Sequence, residues 1–244
     1  MRQKKQIKVT NYQTLMYPDL GYPYELRKSR GKSISLTIYP NNFIILRIPN
    51  RMPKNQVIEF LQERKSWVQA KFQDNKKHNP KRAEFKDGDL IPIFGKLRQV
   101  IHTKNQETKL SNTILYLNIK GIKSESGFRT RALSFLKNEL LQIASPILTD
   151  ALKQIGTKNY DLKIRKMRTL WGSCSSNHQI SLNLGLIFCP MEVIKYVIVH
   201  EATHTKVFNH STAFWHLLSA LDKNFMKSEK WLKADRSKTL CYLL

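Results

Sequence analysis

Val193-Ile194-Lys195-Tyr196-Val197-Ile198-Val199-His200-Glu201-Ala202-Thr203-His204 is the stretch on which the architecture turns. Val193, Ile194, Val197 and Ile198 recur at helical spacing, and Pro190 stands where a helix can begin. A helix turns about 100° per residue, so His200 and His204 lie about 40° apart and one turn along. Both imidazoles reach one cation from that face. Glu201 projects from the adjoining flank, within reach of a water beside the cation. His-Glu-x-x-His on a helix is the pattern of a zinc site whose Glu serves as general base.

Two ligands do not complete a catalytic zinc site, which takes three and leaves a position open. His210 is the next candidate. On a continuous helix it would point about 240° away from His204 and lie about 9 Å further on, so it can join only if the helix stops first. Val207-Phe208-Asn209 offers a stop through the left-handed geometry that Asn tolerates. Ser211 is a suitable N-cap for a following helix, with Phe214, Trp215, Leu218 and Leu221 as its apolar stripe. His78, His102, His178 and His216 lack ligand spacing. Trp67, Trp171 and Trp215 read as core aromatics, and Cys174 as a small loop residue.

Upstream, Ile180, Leu182, Leu184 and Leu186 alternate with Ser181, Asn183 and Gly185, which predicts a half-buried strand open to pairing with an extended peptide. Leu162 and Ile164 predict another. Residues 128–155 have helical periodicity, with Pro146 as an interruption. Gly121 to Gly127 is polar and marks a domain boundary. Before it, residues 85–120 read as short strands. Residues 24–50 read as a hairpin turned by Pro40-Asn41-Asn42. Pro53 opens one helix through Val57, Ile58, Leu61, Trp67, Val68 and Phe72.

The chain has 244 residues, 41% of them hydrophobic, enough for a packed core, and a formal net charge of +24. Such a surplus favours polyanions: DNA, RNA or another anionic surface. Cys174, Cys189 and Cys241 are too few and too scattered for a disulfide framework, which with the absence of an apolar leader suggests a cytoplasmic protein. The longest stretch without Asp, Glu, Lys or Arg is too polar to enter a bilayer, so no membrane association is expected. No oligomeric state follows from the sequence.

Several ordered segments resemble the YgjP-like metallopeptidases, relatives of the SprT-like zinc proteases. They are Arg27-Lys28-Ser29-Arg30-Gly31-Lys32-Ser33-Ile34-Ser35 with Trp67 on the helix that follows; Trp171-Gly172-Ser173-Cys174-Ser175; Ile180-Ser181-Leu182-Asn183; Tyr196 to His204; and Asn209-His210-Ser211-x-x-Phe214-Trp215. The resemblance implies one Zn2+ held by His200, His204 and His210, with Glu201 as general base. Members usually have Arg before the Trp-Gly-Ser-Cys run. Leu170 stands there in this chain, and Arg168 is a substitute on the same strand face.

The fold expected is α+β, with a C-terminal zincin-like core of helix, antiparallel strands, metal-binding helix and closing helix, and a β-rich N-terminal part. The divisions are a basic arm at 1–23, a β-rich region with one helix at 24–125 and the core at 126–244. The expected activity is zinc-dependent hydrolysis of a peptide or protein substrate, with recruitment to nucleic-acid-associated targets through the chain's charge. Tyr196 and the Trp171–Ser173 loop are candidate oxyanion donors, and Arg168 and Asn183 are further candidates for substrate contact. Two alternatives stay open: a zinc-dependent hydrolase of nucleotide phosphoanhydrides, and a basic nucleic-acid-binding protein whose structural zinc takes Cys174 or Cys189 as fourth ligand.

Overall fold

The computed structural model describes residues 13–17, 23–31, 33–38, 44–78, 82–157, 160–167 and 170–243. The Pro40-Asn41-Asn42 turn, Arg168 and most of the 1–23 arm lie outside them. The chain forms two compact units, Met1–Asn79 and Pro80–Leu244.

In the first unit four strands, β1 (Gln13–Met16), β2 (Pro23–Ser29), β3 (Ser35–Ile38) and β4 (Ile44–Pro49), form a sheet in the order β1-β2-β4-β3. The β3–β4 pair is antiparallel, as the hairpin predicts, but β2 runs parallel to β4 and β1 adds to its other side. The arm therefore contains a strand. Two helices follow, α1 (Lys54–Glu63) and α2 (Lys65–His78), parted at Arg64 where one helix was expected. Val57, Leu61, Val68 and Phe72 bury themselves with Tyr24, Ile44, Leu46 and Ile48 in a separate core. Trp67 is 43% exposed and is not part of it.

The second unit opens with β5 (Leu90–Ile93), β6 (Lys96–Thr103), β7 (Lys109–Leu110) and β8 (Ile114–Asn118), in the order β5-β6-β8-β7. α3 (Glu125–Ile155) then leads to β9 (Asp161–Arg165), β10 (Gly172–Ser175) and β11 (Gln179–Asn183). A 3₁₀ turn at Leu184–Phe188 precedes α4 (Met191–Thr203), α5 (Thr212–Leu221) and α6 (Phe225–Leu243). The division at Asn79/Pro80 differs from the 125/126 boundary drawn from the sequence. The physical reason is burial: Phe85, Ile91, Ile93, Val100, Leu115 and Leu117 share one core with Leu136 and Leu140 of α3 and with α4. The polar Gly121–Gly127 stretch is a turn into α3, capped by Ser124, whose side chain accepts from the Gly127 N–H.

Pro146 does not interrupt α3, which runs unbroken past it. The ring is on the exposed face. The hydroxyls of Ser145 and Thr149 donate to the carbonyls of Leu141 and Ser145, one turn back, on either side of the missing N–H.

Two further expectations change at β11. Its strand ends at Asn183 rather than Leu186, because the Asn183 carboxamide oxygen accepts from the Gly185 N–H and starts the 3₁₀ turn. It is also the middle strand of β10-β11-β9, buried from Ile180 to Asn183, so it is no edge for a peptide. The β9 pair is parallel and the β10 pair antiparallel. The outer strand beside α4 is β10.

α4 is apolar on nearly every side and packs against α3, α5, α6 and β10, as a helix without a wet face must. Each large aliphatic side chain buried there contributes about 1.5–3 kcal/mol. Its start is fixed by the β5–β6 turn. Gly95 has φ +76° and lies so near Pro190 that a Cβ would sit 3.0 Å from the Pro190 Cα. The neighbouring Phe94 N–H donates to the Ile187 carbonyl at 2.7 Å. No helix among the described residues is long and apolar enough to cross a membrane.

Candidate metal centre

α4 ends at Thr203, with His204 as its C-cap, so the helix stops before His210 as the spacing requires. The stop is not left-handed: among the described residues other than glycine, only Phe85, Phe94 and His178 have positive φ. Instead the last turn tightens. Thr205 N–H donates to the Ala202 carbonyl and Lys206 N–H to that of Thr203. The Asn209 side chain then accepts from the Ser211 N–H at 3.2 Å. Ser211 occupies the N-cap of α5 without a side-chain cap bond, and its carbonyl accepts from the Trp215 N–H.

This turn brings His210 back over α4. His200, His204 and His210 each offer a ligand nitrogen, all within 4.8 Å of one another, and ring centroids are 4.9, 5.1 and 4.8 Å apart. The Nε2 atoms of His200 and His210 face each other at 3.1 Å. Two bare lone pairs held that close repel, so a shared proton or a shared cation belongs between them. His204 Nδ1 lies 3.0 Å from the Val207 carbonyl, which fixes the proton on Nδ1 and leaves Nε2 free as a donor atom. His200 Nδ1 lies 3.4 Å from the Tyr196 hydroxyl. Burial, reinforced by the neighbouring imidazoles, lowers His200 to about 4, and burial also lowers His204, so both favour the neutral form that ligates. The residues fit a divalent cation that takes imidazole nitrogen, of which zinc is the commonest.

Phe214 is the floor of the cluster. It is fully buried, with its ring 4.9, 4.6 and 4.7 Å from those of His200, His204 and His210. Trp215 tilts against His210 at 5.8 Å, and its indole N–H donates to the His210 carbonyl at 3.1 Å. The sequence assigned both to the core stripe of a helix. The signal that marks them is adjacency: they follow His210 by four and five residues, which places them beneath it once the turn is made.

Glu201 is 6% exposed, and burial pushes its carboxyl up to about 8. Burial alone thus favours the protonated form near neutral pH, and a cation held by the imidazoles would favour the carboxylate that a base requires. Tyr196 is buried beside His200, and its phenol is pushed above the ordinary range by burial and by Glu229, Glu201 and Asp222. Cys174 is half-buried, its thiol raised to about 11 by burial and then by Glu201. Neither Cys174 nor Cys189 joins the three imidazoles among the described residues, so neither fills a fourth position.

The other candidates are placed as follows. Asn183 is fully buried, and its Nδ2 donates to the carbonyls of Met167 (2.8 Å) and Leu170 (2.6 Å). It ties down the loop before β10. Trp171 is half-buried against the core, with an indole N–H that is buried and has no acceptor. Ser173 is half-buried on β10, paired with Ser181 of β11. Leu170 is 53% exposed.

The family described as YgjP-like, metallopeptidase domain matches residues 32–235. No curated protein matches the chain. Among solved structures, the metallopeptidase zymogen of Methanocaldococcus jannaschii jannalysin is similar at 20% identity and a TM-score of 0.35, over 38% of this chain and 96% of that one. The metallopeptidase zymogen of Pyrococcus abyssi abylysin is similar at 18% identity and a TM-score of 0.35, over 39% and 97%.

Proposed function

We propose that this chain, which belongs to the YgjP-like metallopeptidase family, hydrolyses peptide bonds with one zinc ion held by His200, His204 and His210 and with Glu201 as the base. The observation that carries this reading is the convergence of three imidazole nitrogens, two from the end of α4 and one from the turn that follows it, with the buried Glu201 next to His200 on α4. When bound, the ion supplies Lewis acidity to a carbonyl oxygen and to water, whose pKa falls to about 7. Glu201 takes the proton from the attacking water and passes it to the leaving amine. Tyr196 orients His200 through Nδ1, and Val207 orients His204 through its carbonyl. Phe214 excludes water from beneath the imidazoles. An extended peptide pairs along β10, the outer strand, rather than along β11.

Replacing Glu201 by Gln keeps the shape and removes the base. The expected outcome is a loss of turnover on unfolded protein or peptide substrates of about 100-fold or more, with zinc still bound. Full turnover in Glu201→Gln, or a chain that takes up no zinc, overturns the reading. The net charge of +24 supports a finer reading, in which the peptidase meets its substrates on DNA, RNA or another polyanion.

A further inference from the structure

Gly172 is an anomaly in its strand. Glycine weakens a β-strand, and where it occupies one it marks a bulge, a bend or the close approach of another group. Its φ lies outside the left-handed region, unlike those of Gly88, Gly95, Gly121 and Gly156, so the backbone there suits any residue. What it lacks is room. A Cβ on Gly172 would lie 2.5 Å from Glu201 Cγ, 2.6 Å from its Oε1 and 2.8 Å from its Cδ. The Glu201 side chain therefore lies directly on the bare backbone of β10.

The strand cannot retreat to make space. Gly172 is in register with Leu182 of the buried β11. Trp171, just before it, accepts through its carbonyl from the Asn183 N–H at 2.8 Å, and the Asn183 side chain holds Leu170 and Met167. On the other side, Glu201 is fixed at its Cα by α4. Any side chain at 172 must displace the Glu201 carboxylate, which is the movable partner.

We propose that Gly172 is a positioning residue: the absent side chain forms the slot that holds the Glu201 carboxylate beside the three imidazoles. The role rests on Glu201 being the base, as set out above. In this role Gly172 acts through Glu201, whatever backbone contacts β10 makes with a peptide. Asn183 keeps the slot in place by pinning the backbone that leads into it.

The test is a double-mutant cycle of Gly172→Ala and Glu201→Ala in the full chain, read in three ways. In the metal-free protein, Gly172→Ala lowers the unfolding midpoint by roughly 5 °C, the cost of overpacking. In the Glu201→Ala background the same change leaves the midpoint within about 1 °C, because the clash is gone. In the zinc-loaded protein, Gly172→Ala loses about 100-fold in kcat, with KM within about threefold and one zinc retained, since the carboxylate is misplaced while the imidazoles are not. An equal drop in midpoint in both backgrounds, or an unchanged kcat, overturns the proposal. If Gly172→Ala alone does not fold, the double variant folds; its failure to fold overturns the proposal too. A wild-type chain without peptidase activity defeats the functional reading and leaves the coupling of the two midpoints to decide this one.

Discussion

Phe214 and Trp215 show how much one pair of neighbours does for the site. Phe214 lies beneath all three imidazoles, and Trp215 holds the backbone of the third. His210 is exposed and sits on a turn, so on its own it has freedom that zinc binding would have to remove. The indole N–H removes it beforehand. Trp215→Phe keeps most of the ring and deletes the donor. We expect zinc affinity to fall by about 10-fold, read by competition with a chromophoric chelator, while the unfolding midpoint of the metal-free chain stays within a few degrees. The sequence showed these two residues as a helical stripe. A period of 3.6 states which residues share a face, but not that three histidines rest on that face.

Among the elements, α4 and α3 carry the unit that holds the site. The chain returns to α3 at its end through Arg129. That guanidinium is 7% exposed and donates to the carbonyls of Ala83, Tyr242 and Leu243, so it caps α6 and ties the start of the unit to its finish. Burial lowers its pKa, yet it stays a cation at any pH at which the chain folds. Arg129→Met removes the side-chain donor from the buried carbonyls of Ala83 and Leu243, while that of Tyr242 keeps the Ala83 N–H. We expect a loss of about 3 kcal/mol, seen as a fall of roughly 6–12 °C in the unfolding midpoint and early proteolysis within α6. Nothing local in the sequence marks Arg129, because its partners lie 46, 113 and 114 residues away. The end of β11 was misread for a related reason. Apolar alternation continues through Leu184 and Leu186, but Asn183 caps a 3₁₀ turn there and the alternation serves a different shape.

For the molecule as a whole, the charge is the largest feature outside the site. A net charge of +24 on 244 residues predicts retention on heparin and on duplex DNA at low salt. We expect binding to weaken by about 10-fold or more between roughly 50 and 200 mM salt, and turnover of a DNA-bound protein substrate to exceed that of the same substrate free. Weak, salt-insensitive retention and equal turnover count against a polyanion partner. The sequence by itself determined the α+β class, the helix of His200 and His204, its start at Pro190 and the need for it to stop before His210. Those follow from helix periodicity and the chain's own spacing, which act within a few residues. Tertiary structure decided the division at Asn79/Pro80, the burial of β11, the passage of α3 through Pro146 and the meeting of Gly172 with Glu201. Each of these depends on which distant surfaces share a core, and close packing between segments far apart in the chain leaves no periodic mark in either of them.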